Sequence, residues 1–151
     1  MNLYLVRHGE AMREGEDAAR PLNARGREEV RRLATHLARL GVRVGEIRHS
    51  PKARAAQTAE IIAGALGARA RVSEGLLPED DPTPIAATAS LATDDVMLVG
   101  HLPHLGRLAS LLVLGDDARS LSELRTGGLL RLQRESGLWR LGWALTPSAL
   151  R

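Results

Sequence analysis

The chain contains no cysteine and no phenylalanine, and it has only one tyrosine, two tryptophans and one lysine, Lys52. Without cysteine there is no disulfide framework and no thiolate zinc site. With so few aromatic rings the core must be built from Leu, Ala, Val and Ile. The stacking platforms that single-stranded nucleic acid binding relies on are missing as well, so no nucleic-acid partner is expected. No uninterrupted apolar run approaches the ~18 residues that span a bilayer, and Met1-Asn2-Leu3-Tyr4-Leu5-Val6 lacks a basic segment ahead of a long apolar stretch. A soluble cytoplasmic protein with no membrane partner is expected.

At 151 residues the chain suits one domain over residues 1–151, because a unit of that size buries roughly 70% of its unfolded surface around one core. Arginine supplies 20 of the 21 basic residues, and the net charge is +3. A planar guanidinium matches phosphate oxygens, but a mixed charged surface with a small positive excess is ordinary, so composition alone assigns no partner.

The pattern along the chain alternates strands and helices. Leu3–Val6 is a short apolar run suited to a buried parallel strand, ending at Arg7-His8-Gly9. Val30, Leu33, Ala34, Leu37 and Leu40 recur at helical spacing between a capping Asn23 and a stopping Gly41. Glu46–His49 is a second strand. Ser50-Pro51 follows as the cap and first turn of a helix that turns Ala55, Ala59, Ile62, Ala63 and Leu66 inward. A brief strand from Ala70 to Ser73, a turn from Pro78 to Pro84 and a helix from Ile85 to Ala92 come next. Asp95–Val99 is an apolar strand closed by Gly100-His101, and Leu102-Pro103 opens a helix through Leu105, Leu108, Ala109 and Leu112. Leu129–Gln133 and Leu138–Trp143 flank Glu135-Ser136-Gly137 as a terminal hairpin. The expected fold is α/β, with helices on both faces of a sheet whose ligand lies beyond the carboxyl ends of the strands. Arg7, His8 and His101 fall at such ends.

Three segments carry chemistry. Arg7-His8-Gly9 sets a cation and a nucleophile at a strand tip. Ser50-Pro51-Lys52-Ala53-Arg54-Ala55-Ala56-Gln57-Thr58 places Arg54 in the first turn of a helix, whose amino end attracts anions. Gly100-His101 closes a third strand. An N-terminal RHG, a downstream SPxxRAxQT and a late GH after an apolar strand, in that order, resemble the histidine phosphatase (phosphoglycerate mutase-like) superfamily. Arg20-Pro21-Leu22, His101-Leu102-Pro103 and Trp143 to Pro147 are similar to the short phosphohistidine phosphatases of the SixA type. The resemblance implies a three-layer α/β/α sandwich with a mostly parallel sheet and little or no lid. It also implies a metal-independent hydrolase that needs no cofactor.

In such a site His8 is the nucleophile. One ring nitrogen attacks phosphorus while a backbone acceptor holds the other, and the ring must be neutral. Arg7 and Arg54 favour the neutral ring by like-charge repulsion. With His101 they offset the charge on the three peripheral oxygens in the transition state. Charge-assisted hydrogen bonds worth about 1.5–3 kcal/mol each leave much of the specificity to the group that bears the phosphate. Gly9 and Arg20 are further candidates for holding phosphate, and Glu79, in the acidic turn with Asp80 and Asp81, is a candidate proton donor for an ester leaving group. Ser50 and Thr58 read as capping and packing residues, Glu10 as an orienter of arginines, and His36 and His49 as structural. His104 reads as an exposed first-turn histidine at the pocket mouth.

The expected substrate is a phosphorylated histidine-containing protein, because no long insertion is available to cover a small molecule; Ser73 to Ala92 is the only candidate cover. A small phosphorylated metabolite is the competing substrate and would need the acid at Glu79. A mutase must retain its product in a closed site, and a non-catalytic phosphate- or nucleic-acid-binding module has no use for His8.

Overall fold

A computed structural model describes residues 1–121 and 123–150. The domain expected over 1–151 therefore includes two residues, Ser122 and Arg151, that lie outside the described ones. Among the described residues six strands and four α-helices follow one another as β1 (Asn2–Arg7), α1 (Ala24–Arg39), β2 (Glu46–His49), α2 (Ala53–Leu66), β3 (Arg69–Val72), α3 (Thr83–Leu91), β4 (Val96–Gly100), α4 (His104–Leu114), β5 (Leu129–Glu135) and β6 (Leu138–Leu145), with a 3-10 turn at Pro147–Leu150. The strands form one sheet in the order β3-β2-β4-β1-β5-β6. The β3-β2, β2-β4 and β4-β1 pairings are parallel, and the hairpin β5-β6 adds antiparallel to β1.

Side chains alternate across the pleat, so each central strand feeds two cores. Tyr4, Val6, Ile47, Met97, Val99 and Leu129 pack on one face with Val30, Leu33 and Leu37 of α1 and Ala55, Ala59 and Ile62 of α2. Leu3, Leu5, Leu98, Leu130 and Leu132 pack on the other with Ile85 and Ala89 of α3 and Leu105, Leu108 and Ala109 of α4. Both cores are aliphatic, and Tyr4 and Trp139 are the aromatic residues buried in them. This is the expected three-layer α/β/α arrangement.

The helix limits follow local chemistry. Asn23 caps α1 by accepting from the Gly26 N–H at 2.8 Å, and Gly41 leaves it with φ +73°. The hairpin turns through Ser136 and Gly137, both at positive φ, which matches the twist of a two-residue turn. One expectation fails: α2 does not begin at Ser50-Pro51 but at Ala53, after an extended Lys52 with no side-chain cap. The Ser50 hydroxyl is engaged elsewhere, as the site shows.

The site follows from strand order. The chain runs from β1 out to β2 and β3, then returns to insert β4 between β2 and β1. Register pairs Arg7 with Gly100 and His49 with Val99, so the residues that leave β1, β2 and β4 emerge side by side. His8, Ser50 and His101 are those residues.

Candidate active site

A cavity of about 310 Å³ opens at these strand ends, lined by Arg7, His8, Arg20, Arg54 and His101, with Glu10, Ala11, Pro78, Leu102 and Thr126 at its sides. The His8 and His101 rings lie 5.1 Å apart, centroid to centroid, and are tilted by 56°. Both are nearly enclosed, at 7% and 2% exposure. His8 Nδ1 stands 2.7 Å from the Gly9 carbonyl oxygen. A carbonyl only accepts, so Nδ1 carries the proton and Nε2 keeps its lone pair.

Burial pushes the His8 pKa down to about 4; the Gly9 carbonyl pulls it up, and Arg54, Arg7 and Arg20 push it further down. Desolvation, then His8 and Arg54, push His101 down to about 3. Both rings are therefore neutral near pH 7. Burial also lowers the pKa of Arg7 and, with the charge of Arg20, that of Arg54, but guanidinium stays protonated.

The cations are held by backbone. Arg7 Nη1 donates to the Leu124 carbonyl at 2.8 Å, and the Gly127 N–H reaches the Arg7 and His8 carbonyls at 3.1 and 3.0 Å. Arg20 sits at φ 47° and donates from Nε to the Met12 carbonyl, which bends it into the cavity from a loop closed by the Ala11–Leu22 bridge. Among the described residues no carboxylate pairs with Arg7, Arg20 or Arg54. The one carboxylate among the lining residues, Glu10, accepts from Asn23 Nδ2 at 3.2 Å and lies 3.6 Å from Arg25 Nε, so it steadies the α1 cap rather than an arginine of the cavity.

Three side-chain nitrogens of the cavity-lining residues, Arg7 Nε, Arg54 Nε and His101 Nδ1, are buried with no hydrogen-bond partner, a state shared among the described residues by both ring nitrogens of His104 at the start of α4. A buried polar group with no partner costs about 1–3 kcal/mol. Three of them around one cavity, next to a free imidazole lone pair, suit a tetrahedral oxyanion. No group of three or more His, Asp or Glu among the described residues is arranged to hold a metal ion.

The structure brings together Arg7, His8, Arg20, Arg54 and His101. Gly9 is close to the site, but its N–H donates to Thr58 Oγ1 at 3.0 Å instead of facing the cavity. A Cβ on Gly9 would lie 2.7 Å from Val30 Cγ2, so its smallness serves the approach of the loop to α1. Gly26 completes that approach, since a Cβ there would meet the Glu10 carbonyl oxygen at 2.0 Å. Glu79 is not brought in: it is exposed, and Pro78 is the residue of that turn that lines the cavity. His104 is not an exposed residue at the mouth either. It is wholly buried at the start of α4, and its low pKa comes first from burial.

Sequence reasoning undervalued the end of the SPxxRAxQT segment. Thr58 donates to the Arg54 carbonyl at 2.7 Å while accepting from the Gly9 N–H, tying the Arg54 turn to the residue after His8. Gln57 Oε1 accepts from the Leu22 N–H at 2.7 Å and anchors the loop that carries Arg20. Their spacing from Arg54, three and four residues along a helix, was the available signal.

A family model described as the histidine phosphatase superfamily (branch 1) matches residues 3–77. An uncharacterised protein of Picosynechococcus sp. is 36% identical over 141 residues, covering 88% of this chain and 85% of that protein. The chain belongs to the histidine phosphatase superfamily. The phosphohistidine phosphatase SixA of Escherichia coli is 28% identical over 158 aligned positions, covering 100% of this chain and 97% of that one. A solved structure of the protein histidine phosphatase SixA complexed with tungstate superposes with a TM-score of 0.89 at 28% identity, over 100% of both chains. Family membership and full-length likeness support a hydrolase of phosphoryl groups.

Proposed function

We propose that the protein hydrolyses phosphohistidine on a protein substrate, with His8 carrying the phosphoryl group between substrate and water. The observation that carries this reading is that Arg7, Arg54 and His101, each with a buried unpartnered side-chain nitrogen, line one cavity with a neutral His8 whose Nε2 is free. They take the three peripheral oxygens, with Arg20 adding positive charge from the loop. His8 Nε2 forms a bond to phosphorus as the bond from phosphorus to the substrate imidazole breaks, the substrate ring carrying a proton on its other nitrogen and so leaving as neutral imidazole. Nδ1–H stays on the Gly9 carbonyl throughout. Water then attacks phospho-His8, inorganic phosphate leaves, and neutral His8 returns.

Two features favour phosphohistidine over an ester. An alkoxide leaving group needs a proton donor, and the acidic turn at Glu79 does not line the cavity, whereas an imidazole leaves more readily. The turn at 77–82 is also short, and the cavity stays open toward a protein surface. The likeness to a protein histidine phosphatase at full length supports the same substrate class.

The test is a side-by-side metal-free assay of a phosphohistidine protein and p-nitrophenyl phosphate, with wild type and His8→Ala. Fast loss of phosphate from the protein, slow ester cleavage and loss of both in His8→Ala are expected. A reversed preference moves the substrate to small phosphomonoesters; turnover retained in His8→Ala overturns the phosphohistidine intermediate.

A further inference from the structure

Ser50 has every polar group committed. It is fully buried. Its N–H donates to the Val99 carbonyl of β4 at 3.1 Å. Its carbonyl oxygen lies 2.8 Å from His49 Nδ1, which gives the otherwise unassigned His49 a role as its donor. Its Oγ accepts from the Lys52 N–H at 3.2 Å and lies 2.7 Å from His101 Nε2. A residue held at four points between β2 and β4, two of them through its side chain, and touching a residue of the cavity, does more than cap a helix.

Proton counting gives the direction of the last contact. The Lys52 N–H can only donate, so it takes one lone pair of Oγ and leaves the hydroxyl proton without a partner on that side. Were His101 to carry its proton on Nε2, Oγ would accept twice, and its own proton would be left buried with no acceptor. His101 Nδ1 would then turn a lone pair toward the anion. In the opposite arrangement Oγ–H donates to His101 Nε2 and the imidazole proton sits on Nδ1; one hydrogen is again left over, but it is the Nδ1–H of a ring that lines the cavity, where an oxyanion can accept it. His101 Nδ1 is the buried atom left without a partner, as a donor awaiting an oxyanion must be.

We propose that Ser50 is a positioning residue for phosphoryl transfer: it fixes His101 as the Nδ1–H tautomer and so turns that ring into a hydrogen-bond donor to the phosphoryl oxygens. The inference rests on the phosphatase reading above. It parallels what the Gly9 carbonyl does for His8, with the opposite outcome. Both rings carry their proton on Nδ1, but in His8 the free Nε2 is the working atom and in His101 it is the protonated Nδ1.

Nitrogen-15 spectra of the histidine rings, recorded on the full chain near pH 7 without substrate, test the tautomer directly. Wild type is expected to show protonated Nδ1 and unprotonated Nε2 at His101. In Ser50→Ala the Nε2–H form gains population, and kcat for a phosphohistidine protein falls about 10- to 100-fold, the value of one hydrogen bond to a charged group. Ser50→Thr, which keeps the hydroxyl, restores both the spectrum and most of kcat. A His101 that is Nε2–H in wild type overturns the proposal whether or not Ser50→Ala folds. So does a Ser50→Ala enzyme that folds and keeps both tautomer and kcat. Loss of all phosphohistidine turnover in wild type, with the tautomer as expected, would count against the substrate and leave the role of Ser50 in place.

Discussion

Two regions of the molecule use half-buried arginine in opposite ways. At the carboxyl end of α3, Arg134 reaches across from β5 and donates to the carbonyls of Ala89, Ser90 and Ala92 at 2.9, 2.6 and 2.5 Å, with its guanidinium 5.6 Å from the Trp139 ring centroid. The last carbonyls of a helix lack intrahelical donors, so Arg134 satisfies them, and cation and helix dipole attract. Around the cavity at the strand ends, Arg7 and Arg54 line the same space as Arg20, no carboxylate among the described residues pairs with them, and each keeps a buried Nε unpartnered. The first arrangement stabilises the fold. The second costs stability and makes sense only if an anion visits.

Removing one arginine from each region should therefore give crossed results. Arg54→Ala is expected to lower kcat about 10²- to 10³-fold, the usual loss for one oxyanion donor, while stability stays level or rises because a like-charge contact with Arg20 is relieved. Arg134→Ala should lower stability by about 2 kcal/mol through three lost hydrogen bonds to helix carbonyls, with kcat unchanged in the folded enzyme. Denaturant melts and single-turnover rates on both variants decide it. A destabilised Arg54→Ala, or an inactive but stable Arg134→Ala, would erase the distinction between the regions.

The same contrast explains what the sequence made legible. Strand and helix order, both core faces and the residues at strand ends could be read because periodicity and capping are local signals, as Leu3 to Val6 and Asn23 to Gly41 show. Arg7, His8, Arg54 and His101 stood out as chemically loaded types at those ends. Ser50 and Thr58 did not, because a hydroxyl that caps a turn and one that orients an imidazole look alike until β2 and β4 are known to be neighbours. His104 misled for the same reason: first-turn position suggests exposure, but the packing of α4 against the sheet encloses it. Glu79 was read as reachable from its chemistry, and only the path of the turn shows Pro78 facing the cavity in its place.

The electrostatic side of the comparison appears in pH dependence. Unfolded histidine binds a proton near pH 6.5, whereas folded His8 does so near 4 and His101 near 3. Between these values the unfolded chain holds more protons, so stability rises with pH. The contribution is complete above about pH 6.5 and is lost as pH falls toward 4 and below. A thermal melt series from pH 7 to 4 should show this decline. The acid limb of kcat/KM that belongs to His8 should fall near pH 4, not 6.5, and in Arg54→Ala it should move up only part of the way, because burial is the larger cause. A limb at 6.5 in wild type would mean that the His8 site is far wetter than its enclosure indicates.

The smallest expected effect bears on the leaving group. The acidic turn would help an ester substrate if Glu79 could deliver a proton, and on chemistry alone Glu79→Gln should then injure ester cleavage far more than phosphohistidine cleavage. Its exposed position argues otherwise: a carboxyl outside the cavity can neither lie within about 3 Å of the departing oxygen nor exclude water from it. Glu79→Gln should leave both activities within about twofold of wild type, a surface substitution in an open turn. A selective tenfold loss on p-nitrophenyl phosphate would instead require the 77–82 turn to swing over the cavity when an ester binds, carrying Glu79 inward past Pro78. The open cavity would then be only one of two states, and the argument from an uncovered pocket to a protein substrate would lose its footing.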